Sequence, residues 1–100
     1  MRIGHKKTPI LAQRQVRITN KLGLHARPAA QFVKRVRSFR SEICVVKLGK
    51  RYSASSLIDI LRANLDCGST AILEARGVDA DDALDELEQL LEEFHEQETD

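Results

Sequence analysis

Three stretches of this chain repeat apolar residues at helical spacing, and four shorter ones read as strands, of which Val16-Arg17-Ile18-Thr19 alternates apolar and polar residues. Ala29, Phe32, Val33 and Val36 fall at i, i+3, i+4 and i+7, one apolar stripe, while Lys34, Arg35 and Arg37 point away from it. The segment Ala26 to Arg37 is therefore predicted helical. Pro28 lies near its start, where a missing N–H costs nothing. Leu57, Ile58, Ile60, Leu61 and Leu65 predict a short second helix after Ser55 and Ser56. Ser56-Leu57-Ile58-Asp59 matches a capping box in which Asp59 reaches back to the cap. Asn64 and Gly68 both tolerate positive φ and close that segment. Asp79 caps a third helix, with Asp81 and Asp82 set favourably against its dipole. Its stripe is Ala83, Leu84, Leu87, Leu90, Leu91 and Phe94.

Val16-Arg17-Ile18-Thr19 reads as a half-buried strand. Glu42 to Lys47 reads as another, with Ile43 and Val45 on one face and Cys44 and Val46 on the other. Leu48-Gly49-Lys50 is a turn, Arg51-Tyr52-Ser53 a return strand, and Ser69 to Ala75 the last strand. The order β-α-β-β-α-β-α predicts an α+β fold, an open-faced two-layer sandwich. Its four-stranded, mostly antiparallel sheet carries three helices on one face. Residues 1–14 show no period and read as a basic extension, 15–96 as the domain and 97–100 as an acidic tail.

One hundred residues make one domain able to bury a core without staples. The longest strictly apolar run, Ile43-Cys44-Val45-Val46, is far below the ~20 residues of a membrane span. The N-terminus has no secretory h-region. Cys44 and Cys67 lack metal or redox spacing and are expected to be free, mostly buried thiols in a cytoplasmic protein. Net charge is +1, but residues 1–51 hold fourteen Lys/Arg and one acid, and residues 52–100 two Arg and fourteen acids. The plainest reading is mutual neutralisation in the fold; the other is a basic surface for nucleic acid or an acidic protein. Phe32, Phe39 and Tyr52 are poor provision for stacking bases, so nucleic acid is not the expected partner.

No metal, cofactor or catalytic triad can be assembled, so a stand-alone enzyme is not expected. His5 and His95 read as solvated. His25 differs, because Gly23 lets the chain bend before it and Pro28 marks the helix start behind it. A proline disfavours the helical region for its predecessor, so His25, Ala26 and Arg27 are placed at or just before the cap. There the N–H groups lack intrahelical partners and favour an anion, and Arg27 adds a guanidinium suited to phosphoryl oxygens. Neutral imidazole, with an unperturbed pKa of ~6.5, is a competent nucleophile near neutral pH. A tolerable cap residue and a phosphoryl acceptor both remain open on these residues alone.

"GLHARPAAQFVK", Gly23 to Lys34, resembles the active-site signature of the histidine-containing phosphocarrier protein (HPr) family of the sugar phosphotransferase system. "YSASSLIDIL", Tyr52 to Leu61, resembles its second block, and the likeness runs from about Val16 to Phe94. The resemblance implies that His25 is phosphorylated on Nδ1 by Enzyme I, which takes the group from phosphoenolpyruvate, and that Arg27 steadies it. It implies that Ser56 is the site of an ATP-dependent HPr kinase/phosphorylase. Ala26, Leu57, Ile58 and Leu61 would form the apolar patch for Enzyme I and for Enzyme IIA-type domains or regulators. Lys21, Lys34, Arg35 and Arg37 would steer acidic partners. A monomer needing no cofactor and no membrane is expected. A regulator not coupled to sugar uptake, or a nitrogen-related paralogue, fits the same residues. Two departures are the long N-terminal extension and Asn64, where the family commonly has glycine. Asp59 sets a further expectation: its carboxylate would compete with a phosphate on Ser56 for the helix N–H groups, making that modification less stabilising.

Overall fold

Side chains that alternate along the strands decide the two layers. A computed structural model describes residues 10–97, so the basic residues 1–9, His5 among them, and the acidic residues 98–100 lie outside the described residues. The elements run β1 (Ile10–Arg17), α1 (Ala26–Val36), β2 (Glu42–Lys47), β3 (Lys50–Ser53), α2 (Leu57–Arg62), β4 (Thr70–Gly77) and α3 (Ala80–Gln97). The sheet order is β1-β4-β2-β3, and every neighbouring pair is antiparallel. The last strand in the chain thus sits in the interior of the sheet.

One sheet face buries Val16, Ile43, Val45, Ala71, Leu73 and Ala75. Against it pack Ala29, Phe32, Val33 and Val36 of α1, Ile60 of α2, and Leu84, Leu87, Leu91 and Phe94 of α3. Each large side chain so buried contributes about 1.5–3 kcal/mol. Phe39 and Tyr52 lean on this core, which leaves the sheet without an aromatic platform. The opposite face is solvent-facing, and Glu74 receives Gln13 Nε2 at 2.6 Å and an ion pair from Arg51. The Arg51 and Gln13 hydrogen bonds, in that order of weight, hold the Glu74 carboxyl below its ordinary value.

β1 begins at Ile10, not Val16, so residues 10–14 of the basic extension belong to the sheet. Ile18 and Thr19 fall just beyond its end. Arg14 obscured the alternation. It lies on the helix-bearing side, where its guanidinium meets Asp85 at 2.7 Å and Glu88 at 2.9 Å across α3. With Arg35–Glu86 at 3.3 Å and Arg51–Glu74, these pairs join the basic first half to the acidic second. Asp79 ends up at the start of α3, its carbonyl accepting the Ala83 N–H at 2.8 Å. Its carboxylate turns away to receive the N–H groups of Arg40 and Ser41, each at 2.9 Å, and the Ser41 hydroxyl. Cys44 is half-buried and Cys67 exposed, both as free thiols; Cys67 departs from the buried expectation because it lies in the polar turn after α2. Among the described residues no helix is long and apolar enough to cross a membrane.

Candidate functional site

The loop before α1 is a closed turn. Gly23 donates its N–H to the Asn20 carbonyl at 3.0 Å, and the Asn20 Nδ2 donates to the Gly23 carbonyl at 2.6 Å. Gly23 holds φ at 64°, and a Cβ there would lie 2.5 Å from the Leu65 carbonyl oxygen. That close approach lets Leu24 donate its N–H to the same carbonyl at 2.9 Å and bury its side chain. The chain then emerges at His25, the N-cap of α1, in extended conformation with φ −75° and ψ −174°.

The His25 side chain is exposed and makes no capping hydrogen bond. Its carbonyl accepts the Ala29 N–H at 2.9 Å, the first intrahelical bond. The Ala26 and Arg27 N–H groups therefore have no intrahelical partner, and Pro28 has none to offer. Arg27 is the second helical residue, not a residue before the cap. Pro28 is tolerated in this first turn because no helical carbonyl lies four residues before it for its ring to strike, and the extended bias it imposes on Arg27 is overridden by the helix. His25, Arg27 and Pro28 border a shallow recess of about 350 Å³ with Asn20, Gln31, Phe94 and Gln97. An exposed imidazole, two amides without a partner among the described residues and an exposed guanidinium thus share one end of α1, an arrangement that can stabilise a dianion attached to the ring.

Ser56 is the N-cap of α2, its Oγ accepting the Asp59 N–H at 3.2 Å. The reciprocal half of the capping box is absent. The Asp59 carboxylate receives the Ser53 N–H at 3.1 Å, because the Ser56 N–H is already committed to the Ser53 carbonyl. Arg37, just past α1, donates Nε to the Ser55 carbonyl at 2.9 Å and ties the two helix ends together. Ile60 is fully buried, Leu57 is half-buried, and Ile58 and Leu61 are 65% and 42% exposed. Ala26 is exposed as well. Of the basic residues read as steering groups, Arg35 is paired with Glu86 and Arg37 with Ser55, whereas Lys34 is exposed beside a groove formed with Ala30, Val33, Arg37 and Leu57.

Sequence reasoning missed Asn20, Gln31, Phe94 and Gln97 at the recess. Only Asn20 carried a signal, as an Asn three residues before a glycine turn. It missed the exposed Leu22 as well. His95 is exposed, as the sequence reading had it, and its Nδ1 also lies 3.2 Å from the Thr19 carbonyl, tying the end of α3 to the loop that begins at Asn20. Among the described residues no three His, Cys, Asp or Glu side chains are grouped to hold a metal ion.

Comparison with known proteins agrees with this geometry. Residues 12–93 match a family model described as the PTS HPr component phosphorylation site. A phosphocarrier protein HPr of Vibrio cholerae is 40% identical over 83 residues, covering 83% of this chain and 98% of the relative. A phosphocarrier protein NPr of Shewanella violacea is 44% identical over 73 residues, covering 73% and 80%. The crystal structure of HPr-C-His from Thermoanaerobacter tengcongensis superposes with a TM-score of 0.81 at 36% identity, over 85% of this chain and 96% of that one. With sequence, topology and the histidine-bearing helix end in agreement, the chain belongs to the HPr family of phosphotransferase-system phosphocarrier proteins.

Proposed function

We propose that His25 accepts a phosphoryl group from Enzyme I and passes it to an Enzyme IIA-type domain or a regulator. The observation that carries this reading is the exposed imidazole at the N-cap of α1, beside the unspent N–H groups of Ala26 and Arg27 and the Arg27 guanidinium. The Nδ1 lone pair forms the new bond to phosphorus as the donor's bond to it breaks, and the acceptor's nucleophile reverses the exchange. Arg27 and the helix end stabilise the dianion, and their exposure to water keeps that stabilisation modest enough for the group to leave. The protein is then a relay in the cytoplasm and a substrate of other enzymes, acting as a monomer.

Ala26, Ile58 and Leu61, with the edge of Leu57, supply the apolar docking patch, since exposed apolar residues beside a reactive group serve as anchors. Ser56, next to that patch, is the regulatory site for an ATP-dependent kinase. A second reading of the same site is a carrier whose acceptor is a regulator instead of a sugar transporter.

The test is incubation with phosphoenolpyruvate and Enzyme I, followed by intact mass and acid lability. One acid-labile phosphate is expected on the natural chain and none on His25→Ala. Equal labelling of the two removes His25 as the acceptor.

A further inference from the structure

Two polar residues are buried among the described residues, Asn20 at 2% exposure and Ser41 at 7%. Ser41 is satisfied, since its N–H and its hydroxyl both go to Asp79. Asn20 is half satisfied. Its Nδ2 donates to the Gly23 carbonyl at 2.6 Å, which fixes the amide orientation, because only the nitrogen can face a carbonyl oxygen. No donor among the described residues reaches its Oδ1. A buried acceptor left unpaired is costly, so folded proteins supply it with a donor. Asn20 lies on the wall of the recess that His25 borders, and the exposed imidazole has spent neither nitrogen on the cap.

We propose that Asn20 is a positioning residue for the phosphoryl-accepting histidine: its Oδ1 takes the Nε2–H of the His25 ring, directly or through one bridging water. Neutral imidazole has one donor nitrogen and one acceptor nitrogen, and the hydrogen bond made by one sets the role of the other. An acceptor held on the recess wall keeps the proton on Nε2 and leaves Nδ1 with its lone pair. The same amide closes the loop through Gly23, so one side chain both shapes the turn and orients the ring. The ring's other neighbours at the recess do not duplicate this role. Arg27 offers only donors, Phe94 and Pro28 offer no side-chain hydrogen-bonding group, and Gln31 and Gln97 are exposed carboxamides free to turn.

This inference rests on His25 being the acceptor, and its test separates the two. Ring ¹⁵N shifts of His25, read on the unphosphorylated full chain, need no phosphoryl donor. Asn20→Ala removes both the donor to Gly23 and the Oδ1 acceptor, whereas Asn20→Asp removes the donor and keeps an acceptor. Thermal melting should show both variants destabilised alike. A single Nε2–H tautomer is expected in the natural chain and in Asn20→Asp, with a mixture in Asn20→Ala. With Enzyme I and phosphoenolpyruvate, Asn20→Ala should lose about tenfold in kcat with KM within twofold, and Asn20→Asp should recover most of that loss. Unchanged ring shifts in Asn20→Ala, or an equal kcat loss in both variants, overturns the positioning role. Failure of the natural chain to take phosphate at His25 overturns the phosphocarrier reading instead, whatever the tautomer.

Discussion

Leu24 donates its backbone N–H to the Leu65 carbonyl, 2.9 Å away, and so stitches the loop that presents His25 to the segment that follows α2. The histidine and the apolar helix beside it are therefore parts of one rigid surface. Gly23 makes the stitch possible, since any side chain there would strike the Leu65 and Asp66 backbone.

Gly23→Ala must then open the loop or push Leu65 away. It combines a left-handed conformation, which costs ~1–2 kcal/mol for a residue with a Cβ, with a backbone clash. Urea unfolding is expected to show a loss above 2 kcal/mol, and phosphoryl uptake at His25 should fall with it. A loss below 0.5 kcal/mol, about that of an ordinary surface change, contradicts the role given to this contact.

The Leu48-Gly49 turn between β2 and β3 holds both residues at positive φ, 51° and 79°. That is the geometry of a two-residue hairpin turn that favours Asn-Gly. Leu48 is 96% exposed, so its side chain offsets little of the strain. Leu48→Asn should raise stability by about 1 kcal/mol in denaturant unfolding without changing phosphoryl transfer. Unchanged or lowered stability counts against the strain argument.

Asp79 carries a pH dependence. The Ser41 hydroxyl, then the Arg40 N–H, hold its carboxyl below the ordinary value. A group whose folded-state pKa is depressed stabilises the fold above its unfolded pKa and loses that contribution as pH falls through the folded pKa. Below about pH 4, at and under the ordinary carboxylate value, the natural chain should lose stability faster than Asp79→Asn. The variant itself should be weaker at neutral pH by about 1.5–3 kcal/mol, the range for hydrogen bonds to a charged group. Parallel stability curves for the two proteins across that range would remove Asp79 as a contributor.

Ile58 and Ile60 are two residues apart and face opposite surroundings, 65% and 0% exposed. Ile58→Ser should leave the melting temperature within about 2 °C and weaken Enzyme I binding at least tenfold, as expected for an anchor. Ile60→Ser should unfold the chain or cost about 3 kcal/mol or more, through a cavity and a buried hydroxyl. If Ile58→Ser binds Enzyme I normally in titration calorimetry, α2 is not the docking helix.

Phosphorylation of Ser56 brings charge against Asp59. The carboxylate is engaged by Ser53 instead of the cap, but the Asp59 N–H that Ser56 Oγ accepts belongs to the same residue. The phosphate is therefore expected to raise the melting temperature more in Asp59→Asn than in the natural chain. Equal gains mean that the carboxylate does not feel the phosphate.

The fold was legible wherever one periodicity ran uninterrupted. The stripes of α1 and α3, and Ile43 and Val45 of β2, all face the core as the pattern requires. β1 was half legible, since Arg14 occupies a helix-facing position and only its distant partners Asp85 and Glu88 make that tolerable. His25 and Arg27 were readable because a helix start is a local event. Asn20 and Phe94 were not, because 74 positions separate them and only the packed end of α3 brings both to the recess. The Asp59 bond to Ser53 was missed for a local reason, since the Ser56 N–H was already taken within the turn.

Because β4 lies between β1 and β2, the sheet has no continuous form until residues 70–77 have left the ribosome. A nascent chain halted before Thr70 holds β1 on one side and the β2–β3 hairpin on the other, with nothing to join them. Cooperative folding must therefore wait until Gly77, the last residue of β4, has been made, and until then its unpaired strand edges are surfaces for chaperones to shield.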